Sequence, residues 1–169
     1  MKKILLAYLL IPLLLIGCSS EKPSLGFTYD EYKARINDAL KQMGNKSTLK
    51  IIKEDVTDDG KKVIALSNNI MIFLVLNEDK IVTQANLAAN DTAYLTEMDN
   101  FKFAFLLLIG TVDDSLSFGE RNKVLQQLGI SDEKVFAKDY TKSVIVKDIQ
   151  YTYKGGFKEG TYVLQAEPK

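Results

Sequence analysis

The sequence contains no histidine and no tryptophan, and Cys18 is its only cysteine. A lone cysteine excludes a disulfide within the chain. Without histidine, the zinc, copper and haem sites that depend on His or Cys ligands lack donors. A Ser-His-Asp triad, a Cys-His pair and a histidine general base are excluded for the same reason. We therefore expect no metal and no cofactor, and any chemistry would have to use carboxylates, Lys, Tyr, Ser or Thr.

The chain has few arginines and no net charge. The 22 basic residues balance 22 acidic ones, and only Arg35 and Arg121 are arginines. Nucleic-acid binders usually carry a basic excess on one face, and arginine supplies the bidentate fork that recognises phosphates and base edges. Because the chain has neither feature, we expect no nucleic-acid partner.

The N-terminus has the parts of a secretion signal. Lys2 and Lys3 form a positive start, and residues 4–16 are an apolar stretch interrupted only by Pro12. This stretch is shorter than the ~20 apolar residues that span a bilayer, and its length suits the hydrophobic region of a signal peptide. It ends in the tetrapeptide Leu15-Ile16-Gly17-Cys18.

This tetrapeptide resembles the lipobox of bacterial lipoproteins, in which Leu, a variable residue and a small residue precede the cysteine. The resemblance implies that a diacylglyceryl group is attached to the Cys18 sulfur, that the chain is cut after Gly17, and that the new amino group is acylated, for example by palmitate. Two or three acyl chains anchor a protein firmly to a membrane. The alternative is an ordinary secretory signal with an incidental cysteine.

The expected location is therefore extracytoplasmic, with the domain anchored by lipid to a bacterial membrane. In a Gram-negative cell the resemblance implies the outer membrane, because Ser19 rather than Asp follows the cysteine. Residues 18–26 are polar and serine-rich, which is typical of a short tether. Removal of residues 1–17 leaves 152 residues, the size of one domain with one core, so we expect a single domain over residues 27–169.

The strongest local signal for secondary structure lies at the start of this domain. Thr28 and Glu31 have the spacing of a capping box, and Phe27 and Tyr32 that of a hydrophobic staple. Together they predict a helix over 29–43. Residues 48–54, 62–66, 70–76 and 80–87 then predict four strands, and the short turns between them indicate an antiparallel meander.

The second half of the chain predicts two more helices and a hairpin. An apolar block at 103–109 lies within a predicted helix over 94–112, and a second capping box at Ser117 and Glu120 begins a helix that ends at Gly129. Residues 143–153 and 161–165 predict a C-terminal β-hairpin that can extend the sheet. The expected fold is α+β, with the helices on one face of the sheet.

Five aromatic residues are candidates for a binding surface. Phe101, Phe103 and Phe105 share one predicted helix, and residues two apart on a helix point in different directions. Either this helix is surrounded on nearly all sides, or one phenylalanine faces a groove or a partner. Tyr151 and Tyr153 share one face of a predicted strand and would suit a binding ridge. Core packing is the alternative for all five.

Acidic residues offer weaker candidates. Asp55, Asp58, Asp59 and Gly60 suggest a calcium loop, but an EF-hand aligned on Gly60 needs Glu at position 66, where this chain has Leu66. A solvated hairpin turn explains these residues.

Two close pairs, Asp113 with Asp114 and Glu97 with Asp99, could serve as the paired carboxylates of a hydrolase. With 22 acidic residues in the chain, close pairs are also expected without any function.

Three functions follow as hypotheses. The first is a membrane-anchored, non-enzymatic binding or accessory protein of the cell envelope, with an envelope protein as its partner. The second is a carrier of a small apolar ligand or lipid, which needs an enclosed apolar cavity of at least ~300 Å³. The third is an envelope hydrolase, which needs two convergent carboxyl groups, one of them with a raised pKa.

Overall fold

The computed structural model describes residues 23–156 and 158–169. The predicted signal peptide, Cys18 and most of the predicted tether lie outside the described residues. Within the described residues, no helix has the length and apolar character needed to cross a membrane.

The described residues form four α-helices, two short 3-10 helices and seven strands. The α-helices are α1 (Tyr29–Met43), α2 (Asp91–Thr96), α3 (Met98–Val112) and α4 (Phe118–Leu128), and the 3-10 helices are Gly44–Lys46 and Glu133–Ala137. The strands are β1 (Lys53–Val56), β2 (Lys62–Ala65), β3 (Ile70–Leu76), β4 (Val82–Asn90), β5 (Tyr140–Val146), β6 (Ile149–Gly156) and β7 (Thr161–Pro168). The strands pair in the order β1-β2-β3-β4-β7-β6-β5 as one antiparallel sheet, so the fold is α+β.

Helix α1 has the predicted bounds, and its first turn has the predicted contacts. The Glu31 N–H donates to Thr28 Oγ1 at 3.3 Å, and the Thr28 N–H donates to Glu31 Oε2 at 2.7 Å. The rings of Phe27 and Tyr32 stack with centroids 5.3 Å apart. The helix ends at Gly44, whose φ of 52° lies in the region that favours glycine. The capping box and the hydrophobic staple are thus confirmed.

The sheet differs from the predicted meander plus hairpin, because residues 143–153 are not one strand. They belong to two strands, β5 and β6, which are joined by a two-residue turn at Lys147 and Asp148. Lys147 has a φ of 54°, a left-handed conformation that two-residue hairpin turns require and that Asn or Gly usually supplies. The prediction was wrong because no residue of that kind marks the turn.

The predicted helix over 94–112 is also wrong as a single element. It is divided into α2 and α3 at Glu97, whose φ of −130° and ψ of 38° interrupt the helical path. The Asn90 side chain caps α2 by accepting from the Ala93 N–H, so the helical segment begins earlier than predicted. The break at Glu97 turns its carboxylate towards Asn69, whose Nδ2 donates to it at 2.6 Å.

One face of the sheet is buried and forms one side of the core. Cross-strand neighbours on this face have no exposed surface; they are Ile72, Leu87, Leu164 and Tyr153, on β3, β4, β7 and β6. Side chains two residues away along these strands point the same way and are buried too. We call this side of the sheet the core face and the opposite side the free face.

Aromatic rings join the core face to the helices. Phe101 of α3 lies 5.2 Å from Tyr162, and Phe105 lies 6.0 Å from Tyr153, between ring centroids. Phe136, in the second 3-10 helix, contacts both Phe101 and Tyr153, at 5.0 and 6.1 Å. Large side chains therefore fill the space between the sheet and α3.

Candidate functional site

Four of the five aromatic candidates are core residues. Phe101, Tyr151 and Tyr153 have no exposed surface, and Phe105 is 2% exposed. Tyr151 and Tyr153 do share one strand face, as expected, but that face is the core face. They therefore form no ridge for a partner. Burial raises the pKa of both phenols, and that of Tyr32, well above the ordinary value.

Phe103 is the phenylalanine of α3 that faces outwards. It lines an open groove of about 300 Å³ between α1, α3 and α4, together with apolar side chains such as Met43, Leu106 and Phe118. Phe118 is 66% exposed. Arg121 borders the groove and donates from Nε to the Leu116 carbonyl oxygen at 2.9 Å. This groove lies on the outer side of the helices, away from the core.

The acidic pair after α3 is divided between two cations. Asp113 lies 3.1 Å from Lys147 Nζ, whereas Asp114 lies 3.5 Å from Arg35 Nη2. Burial raises the pKa of Asp113, but hydrogen bonds from Ser115 and Lys147 outweigh it, so the pKa lies below its ordinary value. The hydrolase hypothesis needs a carboxyl group with a raised pKa, and the pKa of Asp113 is shifted in the opposite direction.

The acidic turn between β1 and β2 is held by lysines. Asp55 pairs with Lys53 at 2.5 Å and Asp59 with Lys61 at 2.6 Å. Hydrogen bonds from Lys61 and Thr57 lower the pKa of Asp59 to about 2. Within the described residues, no group of three or more Cys, Asp or Glu side chains could hold a metal ion.

The free face of the sheet carries a row of side chains that sequence reasoning missed. The strand register places Phe73, Asn86, Gln165, Thr152 and Ser143 side by side on β3, β4, β7, β6 and β5. All five retain solvent exposure. The Ser143 and Thr152 hydroxyls are hydrogen-bonded at 2.8 Å, and no member of the row is charged.

An apolar area adjoins this row. Met71, Ala88 and Val163 occupy the neighbouring row on β3, β4 and β7. Towards β2, Val63 and Ala65 border a shallow depression of about 350 Å³ that Met71 and Phe73 also line. The free face therefore changes from apolar at β2 and β3 to polar at β6 and β5, where Lys154 of β6 adds a charge beside the uncharged row.

The sequence contains a signal for this face. In β4, Gln84, Asn86 and Ala88 alternate with the buried Ala85 and Leu87, which is the period-two pattern of a sheet with one exposed face. The exposed members are uncharged, although exposed strand positions in soluble proteins commonly carry charges. The free face was therefore predictable from the residues of β4.

Comparison of the chain with protein-family models, with curated proteins and with solved structures gave no match. The fold and the site define the class of the protein only as an α+β domain on an open, seven-stranded antiparallel sheet.

Proposed function

We propose that the chain is a lipid-anchored, non-enzymatic binding module of the bacterial cell envelope. Acylated Cys18 would hold the domain at the outside of a bacterial membrane, at the outer membrane if the cell is Gram-negative. The free face of the sheet would bind another envelope protein. Neither a cofactor nor nucleic acid takes part in this function.

In this proposal every helix packs on the core face, so the free face is available. Contacts of α2, α3 and α4 support that arrangement. Tyr94 of α2 and Phe101 of α3 both contact Tyr162, with centroids 5.7 and 5.2 Å away. Tyr140 on the core side of β5 donates from its hydroxyl to the carbonyl of Leu128 in α4 at 2.9 Å.

The observation that carries the proposal is the lack of charge at the centre of an exposed surface. The central positions of the free face combine Phe73 and Met71 with amide and hydroxyl side chains such as Asn86 and Gln165. The buried centres of protein–protein interfaces are depleted in charged residues and enriched in aromatic residues and Met. Amides can donate and accept hydrogen bonds, which suits the backbone and polar side chains of a protein partner.

A pull-down from gently solubilised envelopes tests the binding face. The full chain is expected to recover a stoichiometric partner. Gln165→Lys places a charge at the centre of the free face and is expected to abolish recovery, because the partner would have to desolvate that charge. Gln126→Lys makes the same change at an exposed position of α4 and is the matched control. Equal recovery by the two variants, or repeated recovery of no partner, would contradict the proposal.

The lipid anchor has its own test. Cells that express the chain are fed a labelled fatty acid. We expect the wild-type protein to carry the label and the Cys18→Ser variant to carry none. Membrane fractionation should place the labelled protein with the outer membrane of a Gram-negative host. Label that persists in Cys18→Ser, or a wild-type chain without label, would contradict the proposed lipid anchor. Neither result would bear on the proposed binding by the free face.

The two other hypotheses receive less support. A lipid carrier of the expected kind needs space between the sheet and the helices, where Phe101, Phe105 and Phe136 are packed. The apolar groove beside Phe103 is open and lies elsewhere. For a hydrolase, the carboxyl groups with a displaced pKa in the described part of the chain are displaced downwards, as Asp113 illustrates.

A further inference from the structure

The two edges of the open sheet are built differently. Edge strand β1 has four residues, and three of them, Lys53, Glu54 and Asp55, are charged. Edge strand β5 has seven residues, and Lys142 is the only charged one. Short, charged edges protect a sheet against pairing with another chain, whereas long, uncharged edges favour it. By this criterion β1 is a protected edge and β5 is not.

Strand β5 is the last strand of the sheet, and among the described residues no strand pairs with its outer edge. Thr141, Ser143 and Ile145 are exposed, and Ile145 retains 48% of its accessible surface. Apart from the pairing of β5 with β6, no backbone hydrogen bond among the described residues involves these three. Their side chains lie on the free face, in register with Lys154, Thr152 and Gln150 of β6.

The hairpin geometry identifies the backbone groups that are free. Val146 and Ile149 flank the two-residue turn, and the residues in that position exchange both backbone hydrogen bonds. Hydrogen-bonded and non-hydrogen-bonded pairs alternate along an antiparallel ladder. The N–H and C=O groups of Thr141, Ser143 and Ile145 therefore point away from β6, towards the open edge.

We propose that two copies of this chain pair through β5, antiparallel and about a twofold axis at Ser143. This register overlaps all seven residues of each strand. It places Thr141 opposite Ile145 of the second copy, so that the outward groups form about six backbone hydrogen bonds. Lys142 lies opposite Val144 of the second copy, so like charges do not oppose each other. The inference is independent of what the free face binds.

The register agrees with the side chains on both faces. On the free face, Ile145 meets the Thr141 methyl group of the second copy, and such β-branched cross-strand pairs are favourable. A twofold axis at Lys142 instead would place two lysines directly opposite each other, which is unfavourable. One strand pair buries less surface than a standard interface of about 1,600 Å², so we expect reversible association rather than a permanent dimer.

A charge exchange at the twofold axis tests the pairing. Ser143→Lys and Ser143→Glu each place two like charges opposite each other, and each is expected to weaken self-association by roughly fivefold or more. An equimolar mixture of the two variants should associate at least as well as the wild type, because opposite charges then meet. Gln150→Lys adds a charge on the same face but one strand inside the edge and away from Ser143, and is the matched control with unchanged association.

The measurement uses the full chain in mild detergent with reductant, which keeps Cys18 from cross-linking the copies. Sedimentation over a concentration range up to about 1 mM gives the association constant. Hydrogen exchange should show protection of the Thr141, Ser143 and Ile145 amides that increases with concentration. The proposal would be overturned by a monomer with unprotected amides at every concentration. It would also be overturned if both Ser143 variants associated as the wild type does, or if their mixture did not regain wild-type association.

Discussion

The buried hydroxyl of Tyr153 predicts the direction in which a substitution in the core changes the free energy of unfolding. Tyr153 has no exposed surface, and among the described residues its hydroxyl has no hydrogen-bond partner. A buried polar group without a partner costs about 1–3 kcal/mol. Tyr153→Phe removes that cost and leaves a cavity the size of one oxygen, roughly 15 Å³, which costs about 0.4 kcal/mol at 24 cal/mol per Å³. The free energy of unfolding should therefore rise by about 1–2 kcal/mol.

Tyr32→Phe is the matched control, because Tyr32 is equally buried but its hydroxyl lies within hydrogen-bond distance of Thr111 Oγ1, at 3.1 Å. Loss of that hydrogen bond should lower the free energy of unfolding by about 1 kcal/mol. Urea unfolding followed by circular dichroism measures both changes, provided that the slope with urea concentration stays constant.

The free energy of unfolding should therefore rise in Tyr153→Phe and fall in Tyr32→Phe. If Tyr153→Phe lowers stability as Tyr32→Phe does, then the Tyr153 hydroxyl has a partner in solution, such as a buried water molecule. In that case the assignment of an unsatisfied group in the core is refuted.

Three further predictions concern stability. Gly155→Ala should destabilise the domain by about 1–3 kcal/mol in urea unfolding, because the new Cβ would lie 2.8 Å from the Tyr153 hydroxyl, whereas Gly119→Ala meets no atom within 4 Å and should be neutral or stabilising. Thr28→Ala removes the cap of α1 and should lower the midpoint of thermal unfolding, with a loss of about 1 kcal/mol. Burial raises the pKa of the core tyrosines above the value near 10 that they have in the unfolded chain. The free energy of unfolding should therefore be constant below about pH 10 and fall above it, and in urea unfolding at several pH values the fall should be less steep for Tyr153→Phe.

The parts of the fold that were predictable are those with local causes. Helix α1 has its N-terminal cap, its staple and its terminal glycine within a window of 18 residues, from Phe27 to Gly44. Strand β3 is an uninterrupted apolar run between two turns. In each case, neighbours in sequence satisfy the backbone and select the conformation, so the residues themselves are sufficient.

The parts that were missed depend on distant contacts. Lys147 adopts its left-handed conformation in a hairpin whose second strand, β6, is fixed by pairing with β7. Lys147 also donates to Ser115 and pairs with Asp113, beyond the end of α3. Glu97 interrupts the helical segment where Asn69 and Asn100 bind its carboxylate. No local pattern marks either position.

The same limit applies to the candidate site. Period two indicates that Tyr151 and Tyr153 share a face, but whether that face is buried or exposed depends on what packs against the assembled sheet. Because β4 pairs with β7, the row from Phe73 to Ser143 joins strands β3 and β4 to strands β5 to β7, which lie about 50 residues or more further along the chain. Each strand contributes one residue to this row, so the row emerges only when the sheet is assembled.

The proposed anchor and the proposed pairing together restrict how the domain lies at a membrane. The Leu25 N–H donates to the Val82 carbonyl at 2.8 Å, so the described chain begins at one end of the sheet. A twofold axis at Ser143 that continues the sheet is perpendicular to it, and it therefore places the two chain starts at opposite ends of the paired sheets. Seven Cα–Cα steps join Cys18 to Leu25 and span at most about 25 Å. Both anchors can enter the same membrane only if the sheets lie roughly parallel to it. If the free face is to meet a partner and the helices pack on the core face as proposed, the helices would then be the layer next to the membrane.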